Sequence, residues 1–192
     1  MAPSARSEPV PAVDTVGGLE PLLTFGHGTA TAEEIVDLLD GAHVARVVDV
    51  RRFPGSRRNP HVASAELERW LPAAGILYRW EPRLGGRRRV PAEAETADPW
   101  WEVEAFRAYA AHTRTPEFRE ALGEVLANAG PRTAVMCSES VWWRCHRRLI
   151  ADVVVMLHQR PVLHLGHEGR LTEHRPAAGA RVTPEGLVYD RR

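Results

Sequence analysis

Lysine is absent from this chain: all 25 of its basic residues are arginine. No side-chain amine exists to form a Schiff base, so lysine-dependent aldolase, pyridoxal-phosphate and β-lyase chemistry is excluded. Cysteine is nearly absent too, with two in 192 residues, which rules out a disulfide scaffold. Long apolar runs are missing as well. The longest, Leu149 to Leu157, carries Asp152 and falls far short of the roughly 20 residues that cross a bilayer. The first 20 residues, rich in proline, alanine and acid, lack the apolar centre of a secretory signal and read as a flexible leader. The expectation is one α/β domain over 21–192 without membrane attachment, in a reducing cytoplasm or at the nucleoid if it acts on DNA.

What is present is unevenly distributed. The formal charge is zero, yet residues 46–89 hold eleven arginines against Asp49, Glu66, Glu68 and Glu81, net +7, while the flanking segments are acidic. The clusters Arg51-Arg52, Arg57-Arg58 and Arg87-Arg88-Arg89 suit a phosphate-tracking groove, because guanidinium forks bind phosphate oxygens in pairs. A solvated arginine surface balanced by the acidic segments explains the same charges.

Hydrophobic patterning predicts alternating elements. Leu22 to Phe25 reads as a strand ending in Gly26-His27-Gly28. Thr31 with Glu34 forms a capping box before AEEIVDLLDGA, and Ala45 to Val50 is a second strand. Ser64 is expected to cap AELERWLPAAG, followed by a strand over Ile76 to Trp80. Two helices fill 98–129, Arg132 to Cys137 is a buried strand, Trp142 to His158 a long helix, and Pro161 to Leu165 a further strand. This predicts a three-layer α/β fold, a mainly parallel sheet of about five strands with helices on both faces. Ligands of such sheets bind beyond the strands' carboxyl ends, where His27, Asp49, Arg51, Arg83 to Arg89 and Cys137-Ser138-Glu139 all fall.

Each candidate has a plainer alternative. Cys137, at a strand end near a helix start, has the setting of a nucleophile in a sulfurtransferase or redox enzyme, or is a small buried hydrophobe. The gap from Cys137 to Cys145 does not match short zinc knuckles, although His164, His167 and His174 could complete a set; neither metal nor cofactor is assigned. Asp49 and Glu139 are candidate general bases or stabilisers of positive charge, or partners that fix Arg51, Arg144 or Arg147. Asn59 either reads a pyrimidine edge or forms a turn before Pro60. Of the tryptophan pairs Trp100-Trp101 and Trp142-Trp143, one ring each can be core and the other exposed for stacking on bases.

TFGHGT, VVDVRRFPGSRRNP, LGGRR, MCSES with CHRRLIA, and VLHL followed by EG and His174 occur in that order over Thr24 to His174. Together they resemble the domain-of-unknown-function family 488, with Gly28 where that family usually has serine. Some members resembling this chain are linked to base excision of 5-hydroxymethyluracil and related 5-substituted pyrimidines from DNA. The resemblance therefore implies a DNA glycosylase with a damaged or modified duplex as partner and no obligate protein partner. In that reading Asp49, Glu139 and His27 are catalytic, and Gly26, Arg51, Phe53, Asn59, Cys137, Ser138 and Trp142 surround the flipped base. Arg52, Arg57, Arg58, Arg87, Arg88 and Arg147 hold phosphates. The missing lysine implies a monofunctional enzyme that leaves an abasic site. The alternatives are the Cys137-dependent enzyme and a non-catalytic nucleic-acid-binding module.

Overall fold

A computed structural model describes residues 19–55, 57–89, 97–130 and 132–191; the expected leader lies almost wholly outside them. Eight strands and five helices follow in the order β1 (Leu22–Gly26), α1 (Ala32–Gly41), β2 (Arg46–Asp49), α2 (Ser64–Ala73), β3 (Leu77–Trp80), α3 (Glu104–Thr113), α4 (Pro116–Ala127), β4 (Thr133–Cys137), α5 (Arg147–His158), β5 (Val162–Leu165), β6 (Leu171–Glu173), β7 (Ala180–Thr183) and β8 (Gly186–Tyr189). The main sheet is six-stranded, ordered β3-β2-β4-β1-β5-β6; the first five strands are parallel and β6 is antiparallel. β7 and β8 form a separate hairpin.

The alternation of side chains along each strand builds the three layers. Leu23, Phe25, Ala134 and Met136 pack with Ile35 and Leu39 of α1 and Leu67 and Leu71 of α2. Leu22, Val135 and Cys137 point the other way, onto Tyr109, Phe118, Leu122, Leu149 and Val153 of α3, α4 and α5. The mainly parallel three-layer fold is therefore as expected, with β6 added at one edge.

Local chemistry sets the boundaries. The capping box at α1 is formed, with Glu34 N donating to Thr31 Oγ1 at 3.2 Å and Thr31 N to Glu34 Oε2 at 2.8 Å. Ser64 is not the cap of α2. It is already the first helical residue, its N–H donates to Pro54 O, and Ala63 holds the cap position without a side-chain bond. The long helix expected from Trp142 is broken: residues Trp142–Arg144 make one tight turn, Cys145 is extended at φ −121° and ψ 151°, and α5 begins at Arg147. The first of the two helices expected over 98–129 starts at Glu104, leaving Trp100 and Trp101 before it in contact with the C-terminal hairpin: Trp101 is buried against Tyr189, with ring centroids 5.2 Å apart.

Because α1 leaves β1 on one face and α5 leaves the adjacent β4 on the other, their connections diverge and open a crevice between them.

Candidate active site

The crevice is bridged at its base by backbone bonds, His27 N to Cys137 O at 3.0 Å and Gly28 N to Ser138 O at 2.9 Å. Above them lies a cavity of about 580 Å³ lined by the β1, β2 and β4 loops, the Gly86-Arg87 turn and α3. Gly26 allows this closure: a Cβ there would sit inside the contact radius of Glu139 O and 2.7 Å from Arg147 Nη2.

Of the residues expected from sequence, Arg51, Arg52, Phe53, Arg87, Cys137, Ser138 and Glu139 line this cavity. Glu139 is exposed and makes no ion pair among the described residues; Val141 N donates weakly to its Oε1 at 3.4 Å. Phe53 is 64% exposed, with the Arg52 guanidinium 5.5 Å from its ring centroid.

Asp49 lies behind the cavity wall and does not line it. Fully buried, it accepts from Arg51 N at 3.0 Å, Arg51 Nε at 2.8 Å, Arg51 Nη2 at 2.5 Å and Tyr78 OH at 2.9 Å. Arg51 also donates Nη2 to Val62 O at 2.8 Å and Nη1 to His27 Nε2 at 3.2 Å, leaving one Nη1 hydrogen uncommitted among the described residues. His27 Nδ1 donates to Gly28 O at 2.9 Å, so the ring is neutral with Nε2 as acceptor. Burial, then the Arg51 charge, pushes its pKa down to about 4.

The arginines divide into two groups. Arg79 and Arg83 are tied to Glu81 and Glu124, and Arg88 to Glu117 and three backbone carbonyls. Arg52, Arg57, Arg58, Arg87 and Arg144 form no ion pair among the described residues and are exposed. Arg147 leaves the expected phosphate-binding set: it is 1% exposed, and its Nη2 donates to Glu139 O and its Nη1 to Thr24 Oγ1 at 3.3 Å. From Thr24 a single set of tautomers satisfies a buried relay. Thr24 O–H donates to His164 Nδ1 at 2.7 Å, His164 Nε2 to His174 Nδ1 at 2.9 Å, and His174 Nε2 to Asp152 Oδ1 at 2.7 Å. Tyr189 OH closes it on Asp152 Oδ2 at 2.9 Å. Trp142 stacks on His164 at 4.0 Å and is not part of the cavity wall; Asn59 donates to Gly28 O at 3.4 Å, also outside it.

Sequence reading missed the α3 contribution, and it looked to His164, His167 and His174, not His146, to complete a set with Cys137 or Cys145. Phe106 and Tyr109, three apart and so on one helical face, line the cavity. Cys145 and His146 join them and approach Cys137. The neighbouring Cys145 and burial raise the Cys137 pKa, while Cys137, His146 and Arg147 lower that of Cys145 despite its burial.

The mainly parallel sheet with a cavity beyond its strand ends, where the strand order reverses, is a three-layer α/β arrangement. The chain belongs to the family described as Domain of unknown function DUF488, whose model matches residues 31–154. No curated protein and no solved structure matches it. Among the described residues no helix is long and apolar enough to cross a membrane.

Proposed function

We propose that this protein is a monofunctional DNA glycosylase that releases a modified pyrimidine such as 5-hydroxymethyluracil. The supporting observation is one cavity, about 580 Å³, that brings together the carboxylate of Glu139, arginines without an ion pair among the described residues, and the exposed ring of Phe53. A flipped nucleotide needs a pocket of this class, a cationic rim for the flanking phosphates and an aromatic surface for the base or the gap it leaves.

The roles follow from the contacts. Arg52, Arg87 and Arg144 at the cavity, with Arg57 and Arg58 on the adjoining loop, hold phosphates. Arg51, locked by Asp49, offers its remaining N–H to a base carbonyl, so Asp49 is a positioning residue. Glu139 faces the sugar: as the C1′–N1 bond breaks and its electron pair leaves with the base, the carboxylate stabilises the cationic sugar, then takes a proton from the water that adds to C1′. Without lysine the abasic product persists until alkali cleaves it.

Duplex oligonucleotides carrying 5-hydroxymethyluracil, uracil or normal bases, treated with alkali after incubation, test the reading. Breaks at the modified base are expected, and Glu139→Gln should slow release about 10²- to 10⁴-fold with duplex affinity retained. Intact strands throughout overturn the reading, and salt-sensitive binding without release assigns a non-catalytic nucleic-acid-binding module instead. Turnover that survives Glu139→Gln but is lost on cysteine alkylation moves the chemistry to the thiols.

A further inference from the structure

The cavity wall holds a second constellation that base release does not use. Cys137 comes from the end of β4, and Cys145 and His146 from the break before α5; their ligand atoms lie within 4.8 Å of one another. The loop 138–146 folds back because Gly28 N binds Ser138 O and Arg147 binds Glu139 O, which closes a gap that looks too wide in sequence.

His146 decides what the cluster can bind. Its Nε2–H donates to Val50 O at 3.2 Å, so Nδ1 carries the lone pair, and both sulfurs approach that one atom, Cys145 Sγ at 3.6 Å and Cys137 Sγ at 3.8 Å. One lone pair serves one S–H donor well and two poorly. A tetrahedral ion with Zn–S of about 2.3 Å and Zn–N of about 2.0–2.1 Å instead requires an S···N edge of about 3.6 Å, which both contacts approach. A backbone carbonyl holding the far ring N–H is also the usual outer support of a metal-binding histidine.

We propose that Cys137, Cys145 and His146 form a three-ligand Zn(II) site whose fourth position opens on the cavity. Binding converts both thiols to thiolates and releases two protons to solvent, so the cation and its ligands are neutral together beside the buried Arg147. All three ligands line the cavity, which supplies the entry path. The inference stands apart from the glycosylase reading, since its measurements need no DNA.

The full chain, reduced and stripped with a chelator, is titrated with Zn(II) alone and with Co(II) alone. One equivalent of Zn(II) is expected to bind, to shield both thiols from a thiol reagent and to raise the melting temperature. Co(II) should give tetrahedral d–d bands with thiolate charge transfer. Cys137→Ser and Cys145→Ser should each lose one thiolate's share of that band and weaken binding at least about 100-fold, because each removes a metal ligand. Gly86→Ala keeps every ligand but places a Cβ 2.9 Å from His146 Nδ1, and should lower affinity even if the serine variants fail to fold. Octahedral Co(II), thiols that react equally with and without Zn(II), or unchanged affinity in Cys145→Ser or Gly86→Ala would overturn the site.

Discussion

Asp49 and Glu139 sit at the ends of neighbouring strands, and their solvent environments separate their roles. Asp49 is wholly buried and saturated by Arg51 and Tyr78, while Glu139 is exposed without a cationic partner among the described residues. Replacing Asp49 by Asn leaves a buried guanidinium without its counter-charge and should cost about 3–5 kcal/mol in urea unfolding; Glu139→Gln should leave the unfolding midpoint unmoved. The companion test is Gly26→Ala, which forces the Glu139 carbonyl and Arg147 apart and should cost about 1–3 kcal/mol in the same assay. The sequence placed both acids at strand ends, since a charge closing an apolar run is visible in one dimension. It could not rank them, because ranking depends on Tyr78 and Val62, which reach Arg51 and Asp49 only through the fold.

At the scale of elements, strands β1 to β5 were legible because each is a short apolar run between turn residues, and α1 because its capping box is a local signal. β6, β7 and β8 were not, since each spans only three or four residues and the apolar residues of Leu171–Glu173 and Ala180–Thr183 are too few to mark a buried run. The break before α5 was hidden for the opposite reason: Trp142 to His146 carries no glycine or proline, and only the tertiary contacts of Cys145 and His146 favour the extended turn. That break also sets the relay behind it. His164 faces His174, Arg147, Thr24 and the stacked Trp142, and burial, followed by His174 and Arg147, pushes its pKa down to about 3. Between the ordinary value of 6.5 and about 3, the unfolded chain binds a proton that the folded chain refuses. The His164 contribution is therefore complete above 6.5 and is lost as pH falls, at up to about 1.4 kcal/mol per pH unit. Urea unfolding across this range should show that slope, shallower in His164→Gln; equal slopes would remove His164 as its source.

Over the whole molecule the zero net charge conceals a division of labour among arginines. Arg79, Arg83 and Arg88 clamp the end of β3 to α4, whereas Arg52, Arg57, Arg58 and Arg87 are exposed without acidic partners among the described residues. Composition revealed the positive block but not this partition, because the neutralising Glu117 and Glu124 come from another helix. If the exposed set holds DNA, Arg52→Ala and Arg87→Ala should each weaken binding to every sequence alike and reduce the log–log salt slope by about 0.9, while Arg88→Ala leaves the slope unchanged. The relay has a reach of its own. The family match ends at residue 154, yet the lip bearing Glu139 is moored through Arg147 to His164, His174 and Tyr189, all beyond that limit. A chain cut at the end of the matched segment would keep every cavity-wall residue and lose the ballast behind them, so its inventory would be complete and its lip slack.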